Sequence, residues 1–166
     1  MAFALPGGHV LVNTGLLELA DRPEEIAAVV AHELAHVTRR HLFCKVISSG
    51  GPYVIFKLFL GGGGSLLSTL GAGSQLLVGQ GFSQEYELEA DAIGWETMVS
   101  AHIDPRGMTG ILRKLQAAQL RMGAQPVFHA FSSHPATDKR IQRLEAKWQK
   151  LKDKSSFIDL DKPETK

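Results

Sequence analysis

The sequence predicts a mainly helical (α+β) domain that carries a small β-hairpin at its N terminus. Apolar residues recur at helical spacing along most of the chain, whereas extended segments around a Pro-Gly-Gly turn occupy its first residues. The 166 residues are 44% hydrophobic and 21% charged, which is enough to bury one core. We therefore expect one domain over residues 1–154 and a flexible polar tail over residues 155–166.

The hairpin is predicted from two extended segments, Ala2 to Leu5 and His9 to Asn13, which flank Pro6-Gly7-Gly8. A short helix that Thr14 can cap follows them. An edge strand next to a buried helix can accept an extended peptide as a further strand. A plain hairpin that covers the core explains residues 2–13 equally well, so both interpretations stay open.

The next helix is predicted from about Arg22 to about Leu42. Asp21 followed by Glu24 has the character of a capping box, and Pro23 suits the first helical turn. The middle of this helix is apolar nearly all the way round, so we expect it to be buried.

This apolar helix contains a His-Glu-x-x-His run made of His32, Glu33 and His36. Residues four apart lie one turn above each other, so both imidazoles share a face and can bind one metal ion. Glu33 stands at the edge of that face, where its carboxylate can act as a general base. Burial of these groups without a metal would cost several kcal/mol of desolvation, which disfavours a purely structural interpretation.

A third ligand is needed, and the sequence offers Glu87, with Asp91 one helical turn later. Glu87 would complete a His/His/Glu set with one position open for water, and Asp91 can accept the free ring N–H of a histidine ligand. Glu85 and Glu89 do not share the face of Asp91, so we expect both to face solvent.

Two residues just after the motif are not predicted to act in the site. His41 follows His36 by five residues and would point away from the ligand face of a continuous helix, so we expect a solvated cation. Cys44 is the single cysteine, which excludes an internal disulfide, and we interpret it as a small core residue.

Four parts of the sequence resemble gluzincin metallopeptidases of the HtpX, BepA and CAAX prenyl protease type. They are Phe3 to Gly8 with Val10 to Leu17, His32 to His36, Glu87 to Asp91 with Gly94, and Ser133 to Pro135 with Arg140 and Ile141. They stand in the family's order and cover most of the chain. The resemblance implies a zincin-like helical catalytic domain over residues 1–154, with one Zn²⁺ bound by His32, His36 and Glu87 and with Glu33 as base.

The resemblance also adds two residues to the site. His134 matches the family's His-Pro histidine, which would stabilise the oxyanion or, in a resting state, occupy the zinc. Arg140 matches the arginine that follows this motif. Gln84 departs from the pattern, because the family commonly has arginine there. Family members also carry further sequence before the strand near Ala2, so a catalytic core truncated at its N terminus is expected.

The sequence thus predicts a zinc-dependent endopeptidase that hydrolyses peptide bonds in unfolded or extended polypeptides. The resemblance implies quality control of misfolded or membrane-associated proteins in the cell envelope, in the periplasm or at the membrane. Two other classes of function stay open. One is a latent zinc-bound chaperone or adaptor in which His134 is a fourth ligand, and the other is a membrane-interaction module with a structural metal.

Residues 46–84 form an apolar, glycine-rich segment in which Lys57 is the single charged residue. Its two apolar pieces are shorter than the roughly 20 residues of a helix that spans a bilayer. We expect the segment to cover the active site, and contact with a membrane surface is the alternative. The net charge of +1 and the absence of a basic stripe argue against a nucleic-acid partner.

Further helices are predicted from Ser83 to about His102, from Asp104 to near Gly123, and from near Pro135 onward. The last of these carries an apolar stripe that we expect to pack against the core. Its members are Ile141, Leu144, Trp148 and Leu151.

Overall fold

A computed structural model describes residues 2–5, 9–49, 82–122 and 134–162. In these ranges the chain is mainly helical with one two-stranded sheet, which confirms the predicted fold class. The elements are β1 (Ala2–Leu5), β2 (His9–Val12), α1 (Thr14–Leu19), α2 (Pro23–Thr38), α3 (His41–Ser49), α4 (Gln84–Ser100), α5 (Arg106–Met122) and α6 (Asp138–Lys150). Most of the apolar segment predicted over residues 46–84 lies outside the described residues. Within them, no helix is both long and apolar enough to cross a bilayer.

The N-terminal strands form the predicted hairpin. β1 and β2 pair antiparallel with Ala2 opposite Val12, and β1 lies against α2. The predicted cap of α1 is wrong by one residue, because Asn13 rather than Thr14 has the extended backbone of an N-cap. Its Oδ1 accepts a hydrogen bond from the backbone N of Gly15 at 2.8 Å.

The start of α2 corrects the predicted capping pair. Arg22 is the N-cap residue and Pro23 opens the helix. Glu25 is therefore the third helical residue, and its Oε2 accepts a hydrogen bond from the backbone N of Asp21 at 2.9 Å. Glu24 pairs instead with Arg22, at 3.1 Å between Oε2 and Nε.

α2 ends at Thr38, short of the predicted Leu42. Arg40 has a φ of 55°, in the left-handed region, and this interrupts the helical backbone. α3 then begins at His41. A continuous helix was the premise for placing His41 in solvent, so that prediction loses its basis.

The core lies where α2 packs against α4 and α5. Its buried members include Leu16, Ala28, Ala31, Trp95, Met98, Met108, Ile111, Leu112, Ile141 and Leu144. α2 and α5 approach so closely that a Cβ atom at Gly107 would lie 2.2 Å from the carbonyl oxygen of Glu24. This contact fixes how α2, which carries the two motif histidines, is placed against α5.

The remaining helices agree with the predicted ones to within a few residues. Ser83 caps α4, because its Oγ accepts a hydrogen bond from the backbone N of Tyr86 at 3.3 Å. α6 begins at Asp138 behind the Thr137 cap, somewhat later than Pro135. In the predicted stripe of α6, Ile141 and Leu144 are buried and Trp148 packs at the edge of the core.

Candidate metal centre

The two motif histidines meet on one face of α2. His32 and His36 are buried, and their Nε2 atoms lie 3.1 Å apart. The spacing of four residues produces this pairing, because it corresponds to about one turn of helix.

Glu87 comes from α4 to the same point. Its Oε2 lies 3.4 Å from Nε2 of His32, and its Oε1 lies 3.5 Å from Nε2 of His36. The Ser83 cap fixes where α4 begins, and Glu87 then lies in its first turn. The structure thus brings the three predicted ligands together.

His134 is the fourth donor at this point. Its Nδ1 lies 2.8 Å from Oε1 of Glu87 and 3.4 Å from Nε2 of His32. One donor atom from each of His32, His36, Glu87 and His134 falls within 4.8 Å of all the others. In the described part of the chain, these residues form a compact donor cluster.

The spacing of these donors fits a zinc ion. Four nitrogen or oxygen ligands at about 2.0–2.1 Å from a tetrahedral zinc are about 3.3 Å from each other. The two Nε2 atoms lie 3.1 Å apart, and the two oxygens of Glu87 lie at similar distances from them, Oε2 at 3.4 Å from His32 and Oε1 at 3.5 Å from His36. Glu87 Oε2 is also buried and accepts no hydrogen bond of regular geometry, although Nη1 of Arg140 lies 2.7 Å from it, so it retains the capacity to coordinate a cation.

A second set of contacts holds the ligands from behind. Asp91 Oδ1 lies 3.0 Å from Nδ1 of His32, although outside hydrogen-bond geometry. Arg140 donates to both carboxylate oxygens of Asp91 at 2.7 Å and to the carbonyl oxygen of Pro135 at 2.9 Å. Its Nη1 is also 2.7 Å from Oε2 of Glu87. One guanidinium faces two carboxylates, so Arg140 alone leaves one negative charge, which a protonated His32 or a bound dication can balance.

Glu33 stands beside the donors and not among them. It is buried, and its Oε1 lies 3.5 Å from Nε2 of His134. The cluster of mutually close donors does not include it. A carboxylate that lies beside a set of metal ligands without joining it can transfer protons.

The ligand groups differ in basicity. Burial lowers the pKa of His32, but Asp91 and Glu87 outweigh this effect and raise the pKa to about 9. Burial dominates at His36 and lowers its pKa to about 4. Burial also acts to raise the pKa of Glu87, yet contacts with His134, His32 and His36 hold it well below its usual range, so the carboxylate is ionised.

His41 is not the solvated cation that the sequence predicted. It is buried, and its Nδ1 lies 2.9 Å from Nδ1 of His36. Its ring stacks on Tyr86, with centroids 4.5 Å apart and an interplanar angle of 19°. Burial lowers the pKa of His41 in spite of its contact with Glu89. The helix break at Arg40 is the reason, because it removes His41 from the path of α2.

Glu85 and Glu89 both reach solvent, but Glu89 has partners that the sequence did not indicate. Glu85 is exposed as expected. Glu89 Oε1 accepts from Nε of Arg39 at 2.6 Å, and its Oε2 lies 3.4 Å from Nε2 of His41. Its side chain is 37% exposed. It is therefore a partly covered acid with two partners.

Sequence reasoning also missed two residues around His36. The ring of Phe82 stacks on His36, with centroids 4.2 Å apart. Lys45, buried on α3, places its Nζ 4.9 Å from the centroid of that phenyl ring. The break before α3 brings Lys45 here, and no helical periodicity in the sequence signals it. Cys44, the predicted core residue, is half-buried.

A cavity of about 60 Å³ adjoins His32 and Glu33. Apolar side chains make up most of its wall, among them Val29 of α2 and Leu112 of α5. A water molecule needs roughly 10–15 Å³ of such volume, so the cavity has room for about four small groups. This is the size of a branched aliphatic side chain.

Comparison with known proteins gives the chain a family. Residues 1–148 match the model of peptidase family M48. The mitochondrial metalloendopeptidase OMA1 of Schizosaccharomyces pombe is 36% identical over 148 residues, covering 87% of this chain and 42% of that protein.

Two bacterial relatives agree. The beta-barrel assembly-enhancing protease of Escherichia coli (strain K12) is 32% identical over 152 residues, covering 84% of this chain and 30% of that protein. Metalloprotease LoiP of Escherichia coli (strain K12) is 33% identical over 147 residues, covering 86% and 56% respectively. The chain spans less than two thirds of the length of each of these relatives. Its match over nearly all of its own length nevertheless means that the chain belongs to peptidase family M48.

Proposed function

We propose that this chain is the catalytic part of a zinc-dependent endopeptidase. The observation that carries the proposal is the meeting of His32, His36 and Glu87 within coordination distance of one another, with Glu33 beside them. Family membership supports a catalytic metal at this point. We further propose that residues 1–154 form the single catalytic domain.

One Zn²⁺ is the proposed cofactor, with His32, His36 and Glu87 as its ligands. Two imidazoles and one carboxylate form a ligand set that catalytic zinc sites use, whereas larger hard cations such as Ca²⁺ take oxygen ligands. Asp91 orients the ring of His32 from its Nδ1 side. Arg140 holds Asp91, Glu87 and the backbone of Pro135 together.

Zinc bound here would polarise the scissile carbonyl and make a water molecule acidic near neutral pH. Glu33 takes the proton of the attacking water and returns it to the departing amine. His134, with Nε2 on the side of Glu33, donates to the oxygen on which negative charge develops. Glu33 is buried and His134 is half-buried, which limits the access of bulk water to these transfers.

The substrate is proposed to be an unfolded or extended polypeptide. The hairpin supports this idea, because β1 lies against α2 and, within the described residues, pairs with β2 alone. An extended chain can add to such an edge through backbone hydrogen bonds. The apolar cavity beside Glu33 would then take one side chain of that segment.

A role in quality control of misfolded or membrane-associated proteins of the cell envelope is the finer proposal. It is supported by the names of relatives, which include a beta-barrel assembly-enhancing protease and a mitochondrial metalloendopeptidase. The apolar composition of residues 46–84 favours a covering segment, with membrane contact as the alternative.

The test is casein cleavage by the zinc-loaded chain and its Glu33→Gln variant, with metal content measured by mass spectrometry. We expect about one zinc per chain in both proteins and at least a roughly 100-fold loss of cleavage in the variant. Glu85→Gln is the matched control, because Glu85 is an exposed acid on α4. Full cleavage by Glu33→Gln would remove Glu33 from its proposed role.

One observation favours a second candidate, the latent zinc-bound chaperone or adaptor. His134 lies at coordination distance from the other donors, so it can close the fourth position. X-ray absorption of the zinc protein separates the two candidates. Three histidine nitrogens, no water and a gain of casein cleavage in His134→Ala would support latency. Two histidine nitrogens, a water and a loss of cleavage in His134→Ala would support the open enzyme.

A further inference from the structure

His41 lies directly behind His36, on the side opposite to the donor cluster. His36 turns Nε2 toward His32 and Glu87, and its Nδ1 lies 2.9 Å from Nδ1 of His41. His41 is 2% exposed, so the contact is shielded from water. The proposed zinc ligand set does not include His41, yet His41 contacts the back of one ligand ring.

The contact determines where the protons are. A neutral imidazole that binds a metal through Nε2 carries its proton on Nδ1. His36 must then donate from Nδ1, and Nδ1 of His41 must accept. His41 therefore carries its own proton on Nε2, which is the atom that lies 3.4 Å from Oε2 of Glu89.

Glu89 is in turn held from the other side. Its Oε1 accepts a hydrogen bond from Nε of Arg39 at 2.6 Å. Tyr86 stacks on the ring of His41 and favours its present plane. Each member of the row from Glu89 through His41 to His36 thus has one orientation that satisfies its neighbours.

The two histidine ligands consequently have different supports. His32 has the carboxylate of Asp91 at its Nδ1, and Arg140 holds that carboxylate. His36 has a neutral ring at its Nδ1, with an acid one step further away. Groups at this position behind a metal ligand fix its tautomer and its ring orientation.

We propose that His41 is a positioning residue that holds His36 in the orientation and tautomer needed to bind zinc, with Glu89 as its outer partner. This proposal rests on the metal site described under Proposed function. It concerns how tightly and in what geometry the ion is held, and it does not require that the bound ion cleaves peptides.

The test compares His41→Phe with His41→Asn. Phenylalanine keeps a ring that can stack on Tyr86 and removes the acceptor, whereas the side-chain amide of asparagine puts an acceptor near the place of Nδ1 and removes the ring. Zinc dissociation constants are measured by competition with a chromophoric chelator. We expect His41→Phe to bind zinc roughly 10- to 100-fold more weakly and His41→Asn to recover most of that loss.

Two further measurements exclude a merely structural role. Cobalt substituted for zinc should show a changed visible spectrum in His41→Phe and a native-like one in His41→Asn. Urea unfolding of the zinc-free proteins should give similar midpoints for wild type and His41→Phe. Equal zinc affinity of His41→Phe and wild type, or loss of affinity that follows the loss of zinc-free stability, would overturn the proposal.

Glu89 provides a variant that does not disturb the core. Glu89→Ala should weaken zinc binding by a smaller factor than His41→Phe, and it should add no further loss in the His41→Phe background, because the row is already broken. Fully additive losses would contradict the proposal. A wild-type chain that binds zinc tightly but cleaves nothing would defeat the proposed function and leave this inference standing.

Discussion

Arg140 holds Asp91 by two hydrogen bonds of 2.7 Å, one to each carboxylate oxygen. The same carboxylate lies 3.0 Å from the ring of His32, so a residue of α6 controls a ligand on α2 through an acid on α4. Three helices are thereby joined through one buried ion-pair network, and the geometry of the donor cluster depends on the correct packing of all three.

Removal of the positive charge of Arg140 should destabilise the fold. Arg140→Met leaves Asp91 and Glu87 buried without their cation, and we expect the free energy of unfolding to fall by about 3–5 kcal/mol. Urea denaturation of the zinc-free protein measures this. Arg113→Met is the control, because the exposed Arg113 pairs with Glu145 at the surface and should cost less than about 1 kcal/mol. Equal, small losses in both variants would show that the buried network does not stabilise the fold.

Zinc affinity should depend on pH above neutrality. The pKa of His32 is raised to about 9, so its ring is protonated at pH 7 and must release a proton when it binds zinc. We expect the affinity to rise about tenfold per pH unit from pH 7 to 8.5, whereas an ordinary histidine would level off near 6.5. In Asp91→Asn, which removes one cause of the raised pKa, the rise should level off at a lower pH. A flat profile in wild type between pH 7 and 8.5 would refute this.

The close approach of α2 and α5 leaves no room for a methyl group at Gly107. Its Cβ would lie 2.2 Å from a backbone oxygen of Glu24, which cannot move aside as a side chain can. We expect Gly107→Ala to destabilise the protein by about 1–3 kcal/mol or more. Gly15→Ala is the control, because its Cβ would meet only Asn13 Oδ1, at 3.5 Å. Thermal unfolding compares the two, and a stable Gly107→Ala would contradict the observed packing.

The cavity should determine which peptide bonds are cleaved. Val29→Phe fills part of it, so we expect kcat/KM to fall roughly 10- to 200-fold for peptides with leucine next to the scissile bond and to change little for alanine. Leu34→Phe, on the same helix but 40% exposed, should leave both rates unchanged. Mass spectrometry of a peptide mixture identifies the bonds. An equal fall in kcat/KM for both kinds of peptide would show that the cavity does not determine which side chain is accepted.

Much of the metal site could be predicted because it depends on helical periodicity. His32 and His36, and likewise Glu87 and Asp91, stand four residues apart, and this spacing alone puts each pair on one face. Periodicity cannot say which helices pack together. The partners of Arg140 were therefore open in the sequence, and His134 could be placed only by resemblance.

His41 was predicted wrongly for a local reason. The usual signal for a helix end is a glycine that adopts positive φ, and here Arg40 has a φ of 55°. A charged residue at such a position does not indicate a helix end, so the sequence predicts that α2 continues to Leu42. The N-cap Asn13 and the acceptor Glu25 in the first turn of α2 each lie one residue from the predicted position for a similar reason, since several polar residues stand side by side at each helix start.

The proposed ligands are distant in the chain, since the two histidines lie on α2 and Glu87 lies on α4, with α3 and the apolar segment between them. A bound ion would join these segments as a covalent cross-link does. At a free concentration one hundred times its dissociation constant, it would stabilise the native state by about 2.7 kcal/mol. Removal of the ion by a chelator would then destabilise the native state and also remove the metal that the reaction needs. Inactivation by a chelating agent would consequently combine loss of stability with loss of the catalytic metal. Only a substitution that leaves the ion bound can separate the two effects.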